Sequence, residues 1–216
     1  MFYDFKYKNI FLLIFLFFVT FYAGAQVKEV IRTFDNFKEV YTVLENDTTV
    51  KHGPYRLFYK NKVIENGTYK NNEPVGKWQF FYLQQIFEYE YDFTNKKVVR
   101  VSEGNKRYNE ARRIIPCLFL GSPLKPYLFI VSNIHYPEEA RKKNIGGKVT
   151  LALKITKEGK LDDVYLYEKL DPSLDNEVMR VARSFPDDWK WLPATRNGVP
   201  FDDEYHITIE FDPEDL

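Results

Sequence analysis

The stretch from Tyr136 to Val164 constrains the fold more than any other part of the chain. Pro137 suits a first helical position, where its missing N–H costs nothing. Glu138 and Glu139 follow in what would be the first turn, and Arg141, Lys142 and Lys143 toward the end, an order that complements the helix macrodipole. Gly146 or Gly147 can supply the left-handed stop. Val149, Leu151, Leu153 and Ile155 then alternate with polar residues, apart from Ala152, which predicts a strand with one apolar face. Lys157-Glu158-Gly159-Lys160 reads as a hairpin turn with Gly at positive φ. A short helix, a strand, a tight turn and a second strand from Val164 onward therefore follow one another within thirty or so residues.

Downstream, Asp171 or Ser173 can cap a helix in which Leu174, Val178, Val181, Ala182 and Phe185 share one face. Pro186 ends it. Trp189 to Leu192 reads as a short strand, Asn197-Gly198 as a turn, and Tyr205, Ile207, Ile209 and Phe211 as the buried side of a closing strand. Upstream, Pro116, Gly121, Pro123 and Pro126 punctuate a lead-in, and Tyr127 to Ile134 has helical spacing. The sum is an α+β domain over 114–216, a small antiparallel sheet with helices on one face.

The ordered series Tyr136-Pro137, Ala140-Arg141, Ile145-Gly146-Gly147, Val149, Glu158-Gly159-Lys160, Val164, Leu174-Asp175, Val181, Trp189/Trp191-Leu192-Pro193-Ala194, Asn197-Gly198 and Tyr205 to Phe211 resembles the carboxy-terminal domain of the TonB family. That family's domain captures an extended segment of an outer-membrane receptor by adding it as a strand to a sheet edge, a mode in which backbone hydrogen bonds supply affinity. The resemblance implies the same here, with Tyr205, His206, Ile207, Thr208, Ile209, Glu210 and Phe211 as the peptide-binding edge and a TonB-dependent receptor or similar envelope protein as partner. Against this stands internal pairing of the same strand, or pairing within a homodimer.

The segment before this domain has a different character. His52-Gly53-Pro54-Tyr55, Asn66-Gly67-Thr68-Tyr69 and Val75-Gly76-Lys77-Trp78 recur, with Gly53 aligned to Gly76, Tyr55 to Trp78 and Phe58-Tyr59 to Phe81-Tyr82. A recurrence of this kind signals a repeat array. Apolar alternation, with turns at Asn61-Lys62 and Asn71-Asn72, makes each unit a β-hairpin. The units resemble the MORN-type repeat family, in its shorter bacterial variant, over 27–93, with Val40 to Leu44 and Phe87 to Phe93 as degenerate capping units. They read equally as a binding surface or a spacer. Residues 94–113 are charged and irregular and read as a linker between two separately folding regions.

Residues 1–25 have the pattern of a signal peptide: Lys6 and Lys8, an apolar run from Ile10 to Tyr22, and Ala23-Gly24-Ala25 before Gln26. The run is short against the ~20 residues of a spanning helix. An exported periplasmic protein is thereby expected. The alternative is an inner-membrane-anchored TonB-type energy transducer working with an ion-driven motor complex. Two features of that class are absent from this sequence: a coupling ionisable residue in the apolar run and a long Pro-rich spacer. A third reading is an envelope scaffold that binds through its repeats.

Charge is balanced at 31 basic and 31 acidic residues, so no nucleic-acid partner is implied. The single cysteine, Cys117, excludes an intrachain disulfide. His52, His135 and His206 lack metal-ligand spacing, and neither a nucleophile motif nor a phosphate-cradling loop is present. Asp162-Asp163 and Asp202-Asp203-Glu204 are neighbours in sequence only, pointing to opposite faces of a strand. An interaction protein without a cofactor is the expectation, and an enzyme is not. The matched periodicities predict that Leu153 lies under the Leu174-to-Phe185 helix, so Leu153→Ala should cost roughly 2–5 kcal/mol in chemical denaturation; a change near zero would reject the placement.

Overall fold

The computed structural model describes residues 26–105 and 107–213; the signal-peptide expectation for 1–25 lies outside them. The first seven strands are β1 (Val27–Phe34), β2 (Phe37–Leu44), β3 (Lys51–Tyr59), β4 (Lys62–Lys70), β5 (Glu73–Phe81), β6 (Phe87–Asp92) and β7 (Lys97–Val101). They form one antiparallel sheet in sequence order, each strand pairing with the next. Lys60 and Asn61 (φ 46° and 64°) turn β3 into β4, and Asn71 and Asn72 (φ 53° and 67°) turn β4 into β5. Both pairs take the left-handed conformation that a two-residue hairpin needs. The first of these turns sits one residue earlier than Asn61-Lys62.

One of the repeated glycines makes room for a repeated aromatic in this sheet. A Cβ on Gly67 would lie 2.1 Å from Cδ2 of Trp78, so the indole packs over the bare backbone of the neighbouring strand. Trp78 meets Tyr55 at 5.2 Å and Tyr69 at 5.0 Å between ring centroids, and Phe80 meets Tyr89 at 4.7 Å. These rings line one face of the sheet. Two strands exceed the sequence reading. β1 pairs along its whole length with β2, and β7 pairs with β6 and buries Val101. The segment expected as a linker from 94 to 113 is therefore a strand over 97–101, because Lys97, Val98 and Val99 continue the sheet although their surroundings are charged.

Further on come β8 (Ile114–Ile115), β9 (Leu118–Phe119), α1 (Leu124–Asn133), α2 (Glu138–Lys142), β10 (Gly147–Ile155), β11 (Leu161–Glu168), α3 (Pro172–Ala182), β12 (Trp191–Leu192), β13 (Ala194–Arg196), β14 (Val199–Phe201) and β15 (Asp203–Phe211). The main sheet of this half has the order β11-β10-β15, all antiparallel. Val149, Leu151, Leu153 and Ile155 of β10 are buried together with Leu174, Val178, Val181 and Ala182 of α3 and Ile207, Ile209 and Phe211 of β15. The helices thus cover one face of a small sheet, as the alternation of β10 and the helical spacing of α3 require.

Local signals land close to expectation. Asp171 caps α3, its side chain accepting from Ser173 N at 2.9 Å. Gly159 (φ 76°) carries the β10–β11 turn, with Gly159 N donating to Thr156 O at 2.8 Å. Pro137, however, is extended and stands just before α2 rather than within it. The left-handed residue after α2 is Asn144 (φ 51°), not a glycine, since Asn tolerates that region through its short polar side chain.

The two halves share a core. Leu118 and Leu124 belong to the same buried cluster as Tyr55, Leu57, Ile64, Trp78, Phe80 and Tyr89, so the halves are not joined through a linker alone. Glu65 of β4, 4% exposed, accepts from Ser122 N at 2.9 Å and lies 2.6 Å from Lys125 Nζ. Tyr89 of β6 donates its hydroxyl to Phe119 O at 2.5 Å and accepts from Gly121 N at 3.0 Å. Ser122 Oγ donates to Phe81 O at 2.6 Å. Removing the carboxylate would strand a buried amide and a lysine, so Glu65→Ala should cost roughly 2–3 kcal/mol. Urea unfolding followed by tryptophan fluorescence checks this; an unchanged midpoint would show that Glu65 does not hold the halves together.

Candidate peptide-binding edge

β15 pairs with β10 along nine residues, from Asp203 opposite Ile155 to Phe211 opposite Gly147. No strand flanks its other side among the described residues. A strand in this position presents backbone N–H and C=O groups without ladder partners.

The seven predicted edge residues divide by face. Ile207, Ile209 and Phe211 are buried and hold β15 onto the helical layer. Phe211 packs edge-on to Tyr136 at 5.8 Å between centroids, which explains why the Tyr-Pro stretch and the final strand occur together. Tyr205 is half-buried, its ring 5.1 Å from that of Trp191. His206, Thr208 and Glu210 face away from the core and are exposed. They are tied across the sheet: Thr208 Oγ1 lies 3.0 Å from Thr150 Oγ1, His206 stacks on Tyr167 at 4.6 Å, and Glu210 lies 3.9 Å from Lys148. All seven therefore position the strand, and the groups left over are backbone groups.

The unpaired side of β15 opens on a groove of about 330 Å³. Tyr205, His206, Ile207 and Thr208 form one wall. Opposite it stand Tyr82 of the β5–β6 connection, Glu88 of β6, Tyr127 of α1 and Arg107 of the connecting segment, and the 116–119 stretch also lines the groove. Arg107 is already engaged: it pairs with Asp203, which also accepts from Cys117 N at 3.1 Å. That contact pins the start of β15 against the segment running into β9. Tyr82 and Tyr127 meet edge to face at 6.3 Å. Burial, with smaller contributions from Tyr127 and Glu88, pushes the Tyr82 phenol up to about 12, so the Tyr82 ring stays neutral at physiological pH. Burial also raises the Glu88 carboxyl above its ordinary value.

The sequence reading did not find this second wall. Tyr82, Glu88 and Arg107 lie about a hundred residues or more from β15; the docking of residues 118–125 onto the first sheet brings Tyr82 and Glu88 there, and the pair with Asp203 brings Arg107. The paired carboxylates separate into distinct structural contacts. Asp202 accepts from Lys157 N at 2.7 Å, Glu204 from Tyr165 OH at 2.6 Å, and Asp163 lies 3.6 Å from Lys154. The thiol of Cys117 is pushed up by burial first and by Asp203 second, which makes it a poor nucleophile. His52 Nδ1 lies 3.1 Å from Asn71 Oδ1, and His135 Nδ1 lies 3.5 Å from Glu177 Oε1. Among the described residues no group of three or more His, Cys, Asp or Glu side chains is placed to hold a metal ion, and no helix is long and apolar enough to cross a membrane.

Residues 132–213 match the family described as Gram-negative bacterial TonB protein C-terminal. Among solved structures, the chain is similar to the solution structure of the Helicobacter pylori TonB C-terminal domain, at 19% identity and a TM-score of 0.31, over 43% of this chain and 95% of that one. No curated protein matches. Over residues 132–213, which hold α2, β10, β11, α3 and β15, the chain carries a TonB C-terminal domain.

Proposed function

We propose that this protein works in the cell envelope, on the periplasmic side, as an interaction protein. It binds an extended segment of an outer-membrane receptor by adding it as a strand to β15. The observation that carries this reading is the geometry of β15, nine residues paired on one side and facing an open groove on the other. The family match supports it, since a TonB C-terminal domain is an interaction module of receptor-linked transport. Strand addition suits this edge because the inward side chains are spent on the core and the outward ones on cross-strand contacts, which leaves the backbone as the recognition element. On this reading the MORN-like repeats are a fixed part of the binding unit instead of a spacer.

Titration of the full chain with amino-terminal segments of co-encoded outer-membrane receptors, followed by NMR, tests the proposal. Shifts should concentrate on β15. Proline removes a backbone donor, and N–H groups alternate between the two sides of a strand. One of Thr208→Pro and Ile209→Pro should therefore weaken binding about fivefold beyond its alanine counterpart, in line with a net hydrogen bond of about 1 kcal/mol. The other should lose a bond to β10 and show lowered stability. Shifts confined to the first sheet, with β15 silent, would reject strand addition.

A further inference from the structure

The groove beside β15 has one unusual occupant of its wall. Three glutamates of the first sheet with buried or half-buried side chains have a lysine partner: Glu39 with Lys51 at 2.8 Å, Glu65 with Lys125 at 2.6 Å and Glu90 with Lys77 at 3.4 Å. Glu88, half-buried on β6 and facing the groove, takes part in none of the ion pairs among the described residues. The arginine that shares the groove, Arg107, is committed to Asp203. Its neighbours Tyr82 and Tyr127 bring rings rather than charge. A carboxylate held part-way out of water without a counter-charge is costly, and its burial raises its proton affinity. An incoming cation would offset that cost, and an incoming carboxylate would add to it.

We infer that Glu88 receives a lysine or arginine side chain of the strand that adds to β15. β15 then provides the backbone pairing, and the repeat sheet selects a basic residue in the captured segment. The inference rests on the strand-addition reading above. The aromatic walls fit this occupant, because the apolar stem of a lysine or arginine packs along the Tyr82 and Tyr127 rings while its head reaches the carboxylate.

The test uses the full chain and a capped peptide that alternates threonine and valine and equals β15 in length. Each threonine in turn is replaced by lysine or by glutamate, and binding is read by fluorescence polarisation with β15 amide shifts recorded in parallel. At one position the lysine peptide should bind roughly tenfold more tightly than the glutamate peptide, a difference of about 1.4 kcal/mol. That preference should disappear in Glu88→Gln, which keeps the shape of the side chain, while β15 shifts persist. Peptides that shift β15 without any lysine preference, or a preference that survives Glu88→Gln, would overturn the role of Glu88 and leave strand addition standing. Peptides that bind nowhere, or bind without touching β15, would overturn both. Thermal unfolding of Glu88→Gln separates loss of the charge from loss of the fold.

Discussion

A carboxylate buried between the first sheet and the start of α1 sets the arrangement on which the rest depends. Glu65 stands on the fourth strand of the first sheet and takes both the Ser122 amide and the Lys125 ammonium from the other half of the chain. Tyr89 does the same job from the sixth strand, bonding the backbone at Phe119 and Gly121. Polar groups in so dry a place must be satisfied together or not at all. These contacts fix residues 118–125 onto the aromatic face of the first sheet, and the direction of α1 follows. The groove beside β15 exists because this junction brings Tyr82 and Glu88 to face it.

The junction also explains why aromatics dominate the repeats. Seven antiparallel strands need a cover on at least one face, and an array of rings supplies large buried area with few side-chain rotors to freeze. Trp78 over Gly67, Tyr55 and Tyr69 around it, and Phe80 against Tyr89 make a platform. Leu118 and Leu124 then complete its core from the far half. If β15 takes up a strand as proposed, that strand would meet a second wall already in place, which lowers the ordering cost of association.

Much of the second half could be read from the residues. Alternation in β15 and, apart from Ala152, in β10, the Asp171 cap and the Gly159 turn are local signals, and each is found where it was expected. The fold class follows from them, because an apolar strand face and an apolar helix face of matching length must meet. What stayed hidden was non-local or locally contradicted. β1 carries no buried side chain and is exposed nearly throughout, so its amphipathic pattern is faint. β7 sits in a charged stretch, and pairing with β6 outweighs composition there. Glu88 gave no sign, since a lone glutamate on a strand reads as solvent-facing until the partner surface is known. The closing strand itself was legible, but the cross-strand and core contacts of its side chains were not, and on the proposed reading recognition falls to its backbone.

The central claim is that β15 offers an open backbone edge to a captured strand. Amide hydrogen exchange along β15 in the full chain measures this directly. The account predicts alternation in the free protein: amides directed at β10 exchange slowly, and those directed into the groove exchange quickly. Saturation with a receptor segment should slow only the second set. Uniformly slow exchange along β15 in the free monomer would mean that the edge is already covered, and would contradict the account.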